Sequence, residues 1–302
     1  MKKAILFSVM ASILLFSCRK DHSLTKPIQK NYQVNFTVSG FTEQILGSAP
    51  GKPHVNSLKT DAVTGLAASI DLLYYYVYDS NGAQVSFVVQ DSTSSNFGTI
   101  ADHLQAGTYT VVFVGGKTGL NMNNTSKLGT ASIEGYVPSY VPWGDTFFQK
   151  FQLTVSTGDV NQSVSLSRIV GELSIDILDK LPANASSITV TVSQEYQLFG
   201  FSTQAPYGTA GDYTFTYPLS ASALGTSNYK KSIIMINTIT PFTVTIICYD
   251  VSKKIIAQSV ITNVSLQANT QTILTGNLFA ADKGFNIGLN QGWDPTSINF
   301  QF

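Results

Sequence analysis

The chain has 302 residues, 43% hydrophobic and 12% charged, with 18 basic side chains balancing 18 acidic ones. A typical soluble domain is about 25% charged, so the polar surface here must rest on Ser, Thr, Asn and Gln, and no net field favours nucleic acid as a partner. Beyond Cys18 only Cys248 remains, which excludes a disulfide or a thiolate metal cluster within a body that starts at the anchor.

Met1-Lys2-Lys3 is followed by an uncharged run from Ala4 to Phe16. That run is shorter than the roughly 20 apolar residues a spanning helix needs and fits the core of a cleaved signal peptide, residues 1–17. Leu15-Phe16-Ser17-Cys18 reads as a lipobox, with Cys18 as the acylated residue. Each buried methylene contributes about 0.8 kcal/mol, so two or three chains would hold the protein to a membrane lastingly. Residues 18–31 are polar, contain Pro27 and read as a tether.

Tyr32 to Ser39 then alternates strictly, with Tyr32, Val34, Phe36 and Val38 on one face, the period of a strand with one buried side. Thr60 to Ile70 could form a short helix. Further strands are expected at 71–78, 84–90, 108–114 and 147–155, separated by turn signals such as Asp79-Ser-Asn-Gly82. Leu72 to Tyr78 is apolar on both faces, which requires a cover on each. The second half continues with strand patterns at 160–166, 170–177, 187–193, 213–219, 232–238, 242–249, 254–264 and 271–279. Many short strands separated by turns argue for an all-β chain of two sandwiches, 32–166 and 167–302.

Chemistry is sparse. His22, His54 and His103 read as loop histidines, and no His or Cys pair has metal-ligand spacing. Asp79 to Gly82 lacks the spaced acids of a calcium loop and reads as a turn. No catalytic residue, cofactor or metal is expected. Tyr136, Tyr140 and Trp143 cluster on a Pro-rich segment, where their rings would either stack on a glycan or pack over a sandwich edge.

Several patterns, in order along the chain, resemble the fimbrillin superfamily of Bacteroidetes. They are Val34-Asn-Phe-Thr-Val-Ser-Gly-Phe41, Leu104-Gln-Ala-Gly-Thr-Tyr-Thr-Val111, Ser167-Arg-Ile-Val-Gly-Glu-Leu-Ser-Ile175, and Leu274-Thr-Gly-Asn-Leu-Phe279 with Gly292-Trp-Asp294. Together with the lipobox, they look most like the lipid-anchored FimB-type subunits. The resemblance implies two tandem transthyretin-like Greek-key domains, other fimbrial subunits as partners, and an outer-membrane location on the cell surface. It also implies strand addition, with Tyr32, Val34, Phe36 and Val38 as the candidate strand-exchange segment. Stalk subunits of that family are cut after an Arg that follows the first strand. Here the only arginines are Arg19 and Arg168, and residues 40–66 offer Lys52 and Lys59 instead. That departure favours a retained first strand and an anchor or accessory role.

Overall fold

A computed structural model describes residues 30–42, 63–117, 120–135, 143–281 and 283–291. The leader, Cys18 and all of the tether before Lys30 lie outside them. In chain order the elements begin β1 (Asn31–Thr42), α1 (Val63–Ser69), β2 (Leu72–Tyr78), β3 (Gln84–Asp91), β4 (Thr99–Gln105), β5 (Gly107–Gly116), β6 (Asn121–Asn123) and β7 (Ser132–Glu134). They continue with β8 (Thr146–Val155), β9 (Val160–Arg168), β10 (Gly171–Ile177), β11 (Ala185–Glu195), β12 (Leu198–Gly200) and β13 (Ala205–Tyr207). The last are β14 (Gly211–Pro218), β15 (Tyr229–Met235), β16 (Phe242–Asp250), β17 (Ile255–Val264), β18 (Gln271–Asn277) and β19 (Gly284–Asn290).

Seven strands in the order β3-β2-β5-β8-β9-β1-β4 form the first sheet. It curls until its edges nearly meet, and the Gln90 amide at the end of β3 donates to the Thr99 carbonyl that opens β4, at 2.8 Å. The interior is filled by alternate residues of each strand, among them Phe36, Leu73, Tyr75, Phe113, Phe147 and Leu166. Leu66 of α1 and Ile70, just after it, join this core. At the β2–β3 turn, Asp79 Oδ1 accepts from the Asn81 and Ala83 amides, and Gly82 takes a left-handed φ of 73° that a side chain would resist. This is a turn built by side-chain capping, as the Asp-Ser-Asn-Gly pattern suggested.

Two four-stranded sheets, β15-β10-β18-β19 and β14-β11-β16-β17, stack face to face. Leu173, Ile175 and Leu274 from the one meet Val190, Val244 and Ile246 from the other in a second core. A fourth sheet, β13-β12-β7-β6, answers the question posed by the doubly apolar β2. Tyr75 and Val77 face the barrel interior, whereas Tyr76 and Tyr78 face outward into the second core. There Phe201 meets Tyr76 edge-on at 5.5 Å between centroids, and Phe199 meets Phe148 at 5.2 Å. Both covers of β2 therefore come from the same chain. Because β7 pairs with β12, hydrogen bonding also crosses residue 166.

Candidate functional site

β1 owes its place to alternation. Val34, Phe36 and Val38 are fully buried, and Tyr32 packs half-buried at the edge of the same core. The Phe36 ring touches three others, with centroids 5.6 Å from Tyr75, 5.5 Å from Phe113 and 5.9 Å from Phe151. At about 1.5–3 kcal/mol for each large buried side chain, this face holds β1 firmly. The opposite face is polar: the Gln33 amide N–H donates to Asp159 Oδ1 at 3.1 Å, and the Asn35 side chain donates to Asn161 Oδ1 at 2.8 Å.

The backbone of β1 is paired on both sides. β4 runs antiparallel to it, from Asn31 opposite Gln105 to Thr37 opposite Thr99. β9 runs parallel, from Val34 opposite Val160 to Thr42 opposite Ser167, with a bulge between Val38 and Gly40. The strand thus fills a slot between two strands of its own chain, and the slot is lined by Ile100, Leu104 and Val164. All four members of the candidate strand-exchange segment lie in this slot. The loop that follows, residues 43–62, lies outside the described residues.

β4 was missed by sequence reasoning, and its chemistry says why. Its inward positions are Ile100, Asp102 and Leu104, so a carboxylate interrupts the apolar alternation. The Tyr75 hydroxyl donates to Asp102 Oδ2 at 3.1 Å and satisfies it. Burial, with the nearby Asp102 charge and that bond adding to it, drives the Tyr75 phenol far above its ordinary value.

Of the two readings of the aromatic segment, packing is the one that Trp143 follows. Trp143 is buried, not displayed: it is 2% exposed, and its indole N–H donates to the Tyr196 carbonyl at 3.2 Å. Its ring lies so close over Gly135 that a Cβ there would come within 2.5 Å of Cε2. Packing won because the large ring can satisfy its one donor inside the fold. Tyr136 and Tyr140 lie outside the described residues, as do His22 and His54. His103 is exposed on β4. Among the described residues, no group of three or more His, Cys, Asp or Glu is placed to hold a metal ion.

Comparison with known proteins places the chain. A family model matches residues 77–299, from the end of β2 into the C-terminal stretch. The chain belongs to DUF6562, a family of unknown function. The DUF6562 match begins after β1, so the slot-filling strand and α1 precede it. No curated protein matches the sequence. Among solved structures, a candidate polysaccharide binding protein (DUF1812) of Bacteroides thetaiotaomicron is 11% identical, with a TM-score of 0.59 over 87% of this chain and 96% of its own. A candidate adhesin of the same organism is 11% identical, with a TM-score of 0.55 over 87% and 97%. A candidate adhesin of Bacteroides ovatus is 10% identical, with a TM-score of 0.53 over 86% and 96%. At such identities the likeness is one of fold, and it runs over nearly the whole length of each.

Proposed function

We propose that this DUF6562 member is a non-enzymatic cell-surface lipoprotein, held in the outer membrane by acyl chains on Cys18, that serves as an anchor or accessory subunit of a fimbria. The observation that carries the reading is β1: a strand with a fully buried apolar face, paired on both sides, and followed by a segment without arginine. A protein built this way keeps its own strand in the slot and meets partner subunits through other edges. The shared fold with candidate adhesins supports a surface role. In this reading residues 32–166 and 167–302 are two transthyretin-like units, joined by the β7–β12 pairing.

The test is complementation of a deletion strain, with fimbriae counted by electron microscopy on cells and in medium. Wild-type protein is expected to restore attached fimbriae, and Cys18→Ser to release them into the medium. The pair Asn35→Cys with Asn161→Cys, placed where the side chains already meet at 2.8 Å, would cross-link β1 to β9 and should leave fimbriae unchanged. Normal fimbriae in the deletion strain would overturn the proposal. Loss of fimbriae only with the oxidised pair would show that β1 must leave its slot.

A further inference from the structure

β19 is the last strand of its sheet, and among the described residues no strand pairs with its other side. Its alternate residues Phe285, Ile287 and Leu289 stand opposite Gly276, Leu274 and Thr272 of β18. Direct cross-strand neighbours share a face, so all three point towards the second core. Leu274 and Thr272 are 0% and 1% exposed, yet Ile287 and Leu289 are each 49% exposed. β17, which borders β19 in the other sheet, turns the small Ala257 and Ser259 inward beside Cys248 and Ile246. Two large apolar side chains on the core side of a strand are thus left half in water, at a backbone edge that is a template for another strand.

The sequence beyond β19 matches that edge. Residues 292–302 lie outside the described residues and read Gly292-Trp-Asp-Pro-Thr-Ser-Ile-Asn-Phe-Gln-Phe302. After the turn residues Gly292, Asp294 and Pro295, Ile298, Phe300 and Phe302 alternate with Ser297, Asn299 and Gln301, the period of a strand with one dry face. Residues 295–302 carry no charge, and neither does β19. Antiparallel to β19, one register sets all three large side chains against apolar partners: Ile298 opposite Leu289, Phe300 opposite Ile287 and Phe302 opposite Phe285. A shift by one residue would turn all three to the wet face. The family model also runs on past β19, to residue 299.

We infer that residues 297–302 dock on the β19 edge of their own chain as a fifth strand of the sheet β15-β10-β18-β19, covering Ile287 and Leu289. Residues 291–296 make the return, and so short a link holds the segment beside β19 at an effective concentration on the order of millimolar. That favours it over a strand from another molecule. β17 is a second uncharged edge, but its inward Ala257 and Ile261 are already 3% and 8% exposed, so a strand there would bury less. The docked segment closes the β19 edge to any partner strand until it is displaced. This inference needs neither acylation of Cys18 nor membership of a fimbria, and it stands or falls apart from both.

The test uses the soluble chain from residue 19 to 302 with paired cysteines under mild oxidation. Ile287→Cys with Phe300→Cys, directly opposite, is expected to cross-link within one chain, whereas Ile287→Cys with Gln301→Cys, on opposite faces, is not. Mass spectrometry of the digested monomer reads the link. Hydrogen exchange gives a second readout. Phe300→Asp is expected to speed exchange of the β19 amides at least tenfold and to leave β1 and β2 unchanged, while Gln301→Asp on the wet face changes none of them. A link that joins two chains, no link in the first pair, or β19 exchange unmoved by Phe300→Asp overturns the inference.

Discussion

The Arg168 guanidinium grips Asp145 in a buried two-pronged salt bridge, Nε to Oδ1 at 2.6 Å and Nη2 to Oδ2 at 3.0 Å. Its third nitrogen donates to Asn269 Oδ1 at 2.7 Å, and the group lies 5.0 Å from the Phe147 ring centre. Three segments far apart in sequence meet at this one side chain. Burial pushes the Asp145 carboxyl up, and the guanidinium opposes that rise. Removing one partner of such a pair strands the other, at about 3–5 kcal/mol. Arg168→Met is therefore expected to lower the unfolding free energy by a matching amount, and Arg168→Met with Asp145→Asn to cost less than the sum of the two singles. Urea titrations of the four proteins check both.

The same burial makes a protease prediction. Arg168 is the only arginine after residue 19, and its side chain is 4% exposed. An arginine-specific protease should leave the folded body intact and cut it only after unfolding, as read by mass spectrometry of timed digests.

Phe36 anchors the slot-filling strand through its three ring neighbours. Phe36→Ala is expected to cost about 3–5 kcal/mol, because the surrounding barrel cannot collapse onto the void. Gln33→Ala on the wet face should stay within about 1 kcal/mol, since its bonds are exposed. Chemical unfolding of the two variants gives the comparison.

Alkaline pH should unfold the protein. Burial pushes the Cys248 thiol up to about 11 and the Tyr229 phenol up to about 12, while Tyr76, Tyr78 and Tyr217 also rise. The folded chain holds these protons more tightly than the unfolded chain. Stability is thus level below the ordinary thiol value of 9.0 and falls as pH climbs from there towards 11. Melting temperature against pH, followed with tyrosine absorbance, reads this directly. Native Cys248 should also resist iodoacetamide at pH 8 and react once the chain is denatured.

Gly276 closes the β18–β19 pairing at its tightest point, opposite Phe285 and against the Gly284 carbonyl. A methyl group there would collide with the Gly284 oxygen and with the Phe285 Cα. Gly276→Ala should detach β19 from the sheet while leaving the first barrel intact. Hydrogen exchange is expected to rise at residues 284–290 and to stay unchanged in β1 and β2.

Much of this architecture is legible residue by residue. The alternation of Tyr32 to Val38 announces β1, that of Gln84 to Gln90 announces β3, and Asp79 to Gly82 announces the turn before it. Each of these is a local matter: period two sorts side chains into wet and dry, and a short carboxylate caps nearby amides. The expected helix at 60–70 appears as Val63–Ser69 among the described residues. β4 hid behind the inward Asp102, and β6, β7, β12 and β13 are three residues each, too short to show a period.

Folding in three dimensions settled the rest. Nothing local tells β1 to lie parallel to β9, whose paired residues stand 126 positions away at Asn35 and Asn161. For Trp143 the sequence left stacking on a glycan and packing as alternatives, and its close seat over Gly135 decides for packing. Ser132, Gly200 and Tyr207 become neighbours only through β7, β12 and β13. Backbone amides and carbonyls are the same in every residue, so a strand's pattern declares which face is dry and leaves its partners to be chosen by how the whole chain buries its apolar surface.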